Sequence, residues 1–182
     1  LGDVYKRQVF ETWKKRIPWL LLLMISATFT GSIITSFEDA LSACVVLTAY
    51  IPMLMDTGGN AGGQASVTII RGLSLNEIEF KDAFKVVWKE ARVAVLCGLT
   101  LAAANFVKLL LFDRVTIAVA AVVCLTLVAA VFIAKIIGCL LPMLAKKIGF
   151  DPAVMASPFI TTIVDALSLL IYFSIATTIM HI

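Results

Sequence analysis

Apolar residues fill this chain in runs too long for the strands or short helices of a water-soluble core, and its polar residues gather mostly at the joins between those runs. The first run, from Ile17 to about Ser36, follows Lys14-Lys15-Arg16 and has the roughly 20 residues a helix needs to cross bilayer hydrocarbon. Pro18 suits its first turn, where a missing N–H costs nothing, and Trp19 suits the headgroup level. Ser36-Phe37-Glu38-Asp39 closes this run and the second begins near Leu41, a join short enough for an antiparallel hairpin with Glu38 and Asp39 at the opposite face. The second run reaches Leu73, and three more follow at about Val93–Leu111, Val115–Leu140 and Ser157–Met180. The pattern predicts an all-α integral membrane protein of five transmembrane helices over 17–182, preceded by a juxtamembrane stub at 1–16 whose first eight residues read as a non-native leader.

Between the second and third runs lies the most charged stretch. Ser74 and Glu77 have capping-box spacing, and Phe80, Phe84, Val87 and Trp88 recur at helical spacing among Glu79, Lys81, Asp82, Lys85 and Lys89. The pattern fits either an amphipathic helix along the membrane surface or a solvated helical lead-in to the next span.

Two places depart from the apolar pattern. Pro52-Met-Leu-Met-Asp-Thr-Gly-Gly-Asn-Ala-Gly-Gly-Gln64 puts Asp56, Asn60, Gln64 and four glycines, Gly58, Gly59, Gly62 and Gly63, in the middle of the second run. Glycine-rich backbone at membrane depth survives where it is buried in protein or lines a watery cavity, and such broken helices are where transporters place ion sites. The sequence therefore predicts that a polar, glycine-rich break interrupts the second helix. A packing role for the Gly59/Gly63 G-x-x-x-G pair accounts for the glycines and leaves the three polar side chains unexplained. The second departure is Asp165 in the fifth run, where a helix-centre carboxylate costs about 2.5 to 3.5 kcal/mol on insertion scales. Thr161 and Ser168 share its face, and Thr162 lies within reach. A protonated Asp165 bonding a neighbouring helix is the plainer reading. Two polar loci in one chain favour a shared hydrophilic pathway.

Composition sharpens this. With 61 % hydrophobic and 15 % charged residues, the chain departs far from soluble-domain usage. Thirteen of the 15 Lys and Arg group with the N-terminal side, leaving Lys108 and Arg114 on the other, so the positive-inside rule predicts the N-terminus in the cytoplasm, the C-terminus outside and residence in the cell membrane. Lys135, inside the fourth run and two turns before Pro142, is expected to snorkel to the cytoplasmic headgroups. The basic residues form no stripe or aromatic platform, which argues against nucleic acid. Cys44, Cys97, Cys124 and Cys139 show no metal or disulfide spacing, and no phosphate loop points to ATP.

The candidate ligands are all oxygens, which suits hard cations such as Mg²⁺ or Ca²⁺. Mg²⁺ gives up water reluctantly and meets one or two carboxylates through its shell. The chain resembles the membrane domain of MgtE-type magnesium channels and transporters. The resemblance rests on Gly31-Ser-Ile-Ile with Phe37-Glu38, on Pro52 through Gln64 with Ile69-Ile-Arg-Gly, on Gly138-x-x-Leu-Pro142, and on Asp151-Pro-Ala with Ser157-Pro-Phe-Ile-Thr-Thr-x-Val-Asp165. It implies a homodimer with an ion path along the dimer axis, Mg²⁺ as the transported ion and pore ligand, and other divalent cations such as Mn²⁺ or Co²⁺ as alternatives. By the same resemblance Asp165 is the pore aspartate, Ser157 and the Thr161 carbonyl share its pore-lining stretch, and Asp151 is an acidic position used in metal-sensitive gating. Asp56, Gly58, Gly59, Asn60, Gly62, Gln64 and Glu38 belong to the structural core. Ser157, where some members carry Asn, and Lys135 depart from the family pattern. The family's cytoplasmic N-terminal domain and paired regulatory modules have no counterpart in this sequence. The expectation is a fragment or minimal form with a constitutively open path.

Two rivals come from other classes. Asp56-Thr-Gly with Asp165 is the raw material of an intramembrane aspartyl hydrolase, whose dyad needs carboxylates about 3 Å apart. A membrane assembly subunit with no ion path is the other. The charge pattern and the glycine core favour a non-enzymatic transporter.

Overall fold

The computed structural model describes the backbone of residues 2–181 and the side chains of 8–153 and 158–181. Among these residues there is no strand. The helices are α1 (Gly2–Ser36), α2 (Glu38–Ala43), α3 (Ile51–Ser74), α4 (Ala83–Lys108), α5 (Ile117–Lys147) and α6 (Pro152–Met180). Four stretches are long and apolar enough to cross a membrane: Gln8–Ser36, Phe80–Asp113, Ile117–Lys147 and Pro158–Met180. At about 1.5 Å per residue α3 is also of spanning length, but its polar face sets it apart from those four.

The core is built around α5, which packs against α3, α4 and α6 and buries Val122, Val123, Leu127, Val131 and Ala134 on all sides. Small residues bring the backbones close. A Cβ at Gly138 of α5 would collide with the carbonyl oxygen of Gly62 on α3, and one at Gly98 of α4 would stand 3.3 Å from the Val128 Cα. Such close approach replaces the hydrophobic drive that helices lack when lipid surrounds them. α1 packs on α6, where Ser26 Oγ donates to Thr162 Oγ1 and Phe37, just after α1, stacks on Phe173. The remaining faces of α1 carry outward aliphatic and aromatic side chains, among them Leu20, Ile25 and Phe29.

Two polar clusters mark the ends of the bundle. At one end, Lys146 Nζ donates at 2.7 Å to the Leu73 carbonyl in the last turn of α3, which also accepts from the Asn76 N–H, and Lys147 lies over the Phe80 ring. At the other, Tyr50 Oη and Lys108 Nζ both donate to Asp113 Oδ2, at 3.0 and 2.9 Å. Arg71, Lys85, Lys146 and Lys147 thus gather at the first end and Lys108 at the second.

Several expectations from the sequence need correction. The predicted break at Pro52–Gln64 is absent: α3 runs through it without interruption. Gly58 and Gly62 stand on the core face and the polar side chains on the opposite one, so the helix keeps every backbone bond while serving both faces. The irregular segment lies upstream, where α2 gives way to a 3-10 turn over Val45–Tyr50. Pro52 has no N–H to reach back to Thr48, and the Ile51 N–H takes that carbonyl in the tighter 3-10 pattern instead. From Gly2 on, the stub is helical and continuous with the first span, so Pro18 sits inside α1 and not in its first turn. The capping box uses Glu79 and Asp82, not Ser74 and Glu77; Ser74 Oγ donates within α3 to Ile70. No separate surface helix follows, because the charged stretch leads directly into α4.

Lys135 is the plainest correction. It does not snorkel: the side chain is buried, and its Nζ lies 3.6 Å from Glu90 Oε2 on α4. Position 135 faces the interior between α4 and α3, so a partner carboxylate is closer than any headgroup.

Candidate functional site

A groove of about 1180 Å³ runs along the bundle between α3 and α6. Helical spacing assembles its α3 wall. Asp56, Asn60, Gln64 and Thr68 follow at i, i+4, i+8 and i+12 and form one polar stripe, with Gly59 and Gly63 beside it. Asn60 Nδ2 donates to Asp56 Oδ2 at 3.1 Å, holding that carboxylate along the helix. From α6 come Thr161 and Asp165, again four residues apart. The two polar loci of the sequence therefore line one cavity.

The glycines divide by face. A Cβ at Gly58 would come within 2.9 Å of Val164 Cγ1, and one at Gly62 within 2.8 Å of Ile160 Cγ2 and 3.0 Å of the Ala134 carbonyl oxygen, so these two make room for α5 and α6. At Gly63 a Cβ would meet nothing within 4 Å, and at Gly59 only the Thr161 methyl at 3.9 Å. Those two keep the groove open. Through them it joins a second cavity of about 420 Å³ toward the start of α6, with Ser66, Arg71 and Ala153 in its wall.

Asp165 is half-buried and Asp56 more exposed. Ser168, on the Asp165 face of α6, is buried against α3 beside Gly58 and does not line the groove. Thr161 and Thr162 both donate to the Pro158 carbonyl, at 3.0 and 2.8 Å, in the turn that follows the proline.

Two sequence candidates lie apart. Asp151 caps α6, its Oδ1 accepting from the Ala153 N–H at 2.9 Å, and is exposed. Glu38 is exposed at the start of α2 and does not line the groove. The Ser157 side chain falls outside the described residues. Sequence reasoning missed Thr68, although its place on the i+4 stripe was a usable signal. It also missed the side crevice of about 410 Å³ on the far edge of α3, where Asn60 and Gln64 meet Thr100 and Lys135.

Among the described residues no three His, Cys, Asp or Glu come together closely enough to cage a metal. Mono-carboxylate walls with amides and hydroxyls suit a cation that keeps its water shell.

Residues 51–175 match the MgtE family, described as "Divalent cation transporter". This chain belongs to that family. It is similar to three curated proteins, each named "Magnesium transporter MgtE". That of Thermus thermophilus is 38 % identical over 164 residues, covering 90 % of this chain and 36 % of the relative. Those of Bacillus subtilis and Enterococcus faecalis are 35 % and 34 % identical, each covering 92 % of this chain and 37 % of the relative. The chain thus spans little more than a third of the length of these relatives. The MgtE match begins at the first residue of α3 and ends within α6, so both walls of the groove lie inside it. With four spanning-length apolar helices and this membership, the protein is a multi-pass protein of the cell membrane.

Proposed function

We propose that this chain conducts hydrated Mg²⁺ passively across the membrane along the α3–α6 groove, with Asp165 as the central ligand. The observation that carries the reading is the convergence of Asp165 and Thr161 with Asp56, Asn60 and Gln64 on one cavity. The names of the relatives supply the ion. Asp165 meets the water shell, Thr161 and the amides of Asn60 and Gln64 extend the hydrogen-bonding wall, and Asp56 raises the local cation concentration at one end. The motive force is the potential, worth about 2.3 kcal/mol per charge per 100 mV. Mn²⁺ and Co²⁺ are alternative cargoes of the same wall.

The groove is walled by two helices and open on its third side, which supports a homodimer in which a second copy closes the path on the two-fold axis. In this reading α3 also crosses the membrane, second in chain order, which makes five crossings, and the basic end of the bundle faces the cytoplasm. Asp151 acts near the inner mouth, with Ser157 and the Thr161 carbonyl on the pore-lining stretch. Asp56 and Asp165 share the cavity, so the hydrolase reading is separated by the same experiment.

Mg²⁺ uptake into proteoliposomes under an inside-negative potential is compared for the unmodified chain and Asp165→Asn, with dimer formation checked by cross-linking. Uptake that is lost in the variant while the dimer persists supports the proposal; equal uptake in both removes Asp165 from the path. Peptide cleavage that requires Asp165, with no flux, would replace transport by hydrolysis, and a variant unchanged in both assays would leave an assembly subunit.

A further inference from the structure

The outward face of α4 changes character along its length. At about 100° per residue, Phe84, Lys85, Trp88, Lys89 and Arg92 fall within an arc of about 140°, opposite the buried Glu90, Ala94 and Gly98. Phe84 is 80 % and Trp88 62 % exposed. One turn further on, the same arc carries Val95, Leu96 and Leu99, all exposed and all apolar. Cations and aromatic rings thus give way to bare hydrocarbon between Arg92 and Val95.

The cations are available. Glu79 engages Lys81 at 2.8 Å, Asp82 accepts from the Glu79 N–H, and Glu90 turns inward to Lys135. No carboxylate among the described residues lies within ion-pairing distance of Lys85, Lys89 or Arg92. The rise of the helix puts Trp88 about 6 Å outward from Arg92, a depth that matches the headgroup layer of one leaflet.

We infer that the first turns of α4 form a docking site for anionic phospholipid, with Lys85, Lys89 and Arg92 holding headgroup phosphates and Trp88 seated among those headgroups, one turn outward of the acyl boundary. Charge complementarity favours this occupant: a second copy offering the same face would bring like charges together, whereas a negatively charged leaflet neutralises them. The apolar continuation through Leu96 and Leu99 is what acyl chains below those headgroups require. Trp and Tyr belong at this level, where an amphipathic ring packs among the headgroups and its N–H or O–H stays wet.

The test uses the whole chain carrying Trp13→Phe and Trp19→Phe, which leaves Trp88 as its one tryptophan, since the sequence has three. It is reconstituted in phosphatidylcholine bilayers with increasing phosphatidylglycerol, and the chains of one lipid or the other are brominated to quench the indole. Quenching should report a preference for phosphatidylglycerol of about threefold or more, lost in Lys85→Gln/Lys89→Gln/Arg92→Gln and in about 0.5 M salt. Native mass spectra of the unsubstituted chain should retain phosphatidylglycerol over phosphatidylcholine, so the proposal does not depend on the variants folding. Equal quenching by both lipids, a preference that neither the variant nor salt moves, or a Trp88 that no lipid quenches because protein covers it, would each overturn it.

Discussion

Lys135 on α5 and Glu90 on α4 form an ion pair at 3.6 Å with both side chains almost wholly buried. The pair braces the two helices at the level of the side crevice, where Lys135 meets Asn60 and Gln64. Removing one partner leaves a charge without compensation. Glu90→Gln or Lys135→Met alone is expected to destabilise by about 3 kcal/mol or more, while Glu90→Leu combined with Lys135→Met returns to within about 1 kcal/mol of the starting protein. Denaturation of all four proteins in detergent closes the cycle. A double variant as unstable as the sum of the singles would show that the two side chains act separately.

The glycines of α3 should separate folding from conduction. Gly62→Ala is expected to destabilise by about 1 to 3 kcal/mol, because its Cβ is crowded by the Ile160 methyl and the Ala134 carbonyl. Gly63→Leu should leave stability nearly unchanged and reduce flux at least tenfold, since its side chain fills open groove. Thermal unfolding measured beside liposome uptake distinguishes the two, and a freely conducting Gly63→Leu would move the ion path elsewhere.

In the core before the start of α3, the buried Tyr172 Oη donates to the Leu47 carbonyl at 2.9 Å. Tyr172→Phe removes that bond from the 3-10 turn that leads into Ile51 and Pro52. A loss of about 1 to 2 kcal/mol follows, with faster hydrogen exchange at Val45–Tyr50 in particular. Exchange that quickens evenly over the whole chain would show that the bond has no local role.

Among the described residues no acidic cage forms, so the fold is expected to stand without the metal. Chelation with EDTA is expected to leave the helical circular dichroism intact, and Mg²⁺ at about ten times its Kd to raise stability by only about 1.4 kcal/mol. Unfolding on chelation would point to a tightly held structural ion.

Periodicity and charge were enough to read the class of this protein from its sequence. Runs of apolar residues long enough to cross hydrocarbon have few other uses, and the polar stripe Asp56–Asn60–Gln64 and the helix-centre Asp165 stood out because membrane depth makes each of them costly. Their meeting in one cavity was an inference from that cost, and only packing of α3 against α6 brings it about.

Where the sequence misled, the missing information was which face of a helix meets which neighbour. Glycines at 58 and 62 look like a helix break when counted along the chain. In three dimensions they are the contact through which α5 and α6 close on a continuous α3. Lys135 looks like a snorkelling side chain until Glu90, 45 positions earlier, arrives opposite it on α4. Local spacing fixes what a helix can bury and what it can expose. Which of those faces is filled by protein and which is left open depends on contacts between residues far apart in sequence, and those exist only in the folded bundle.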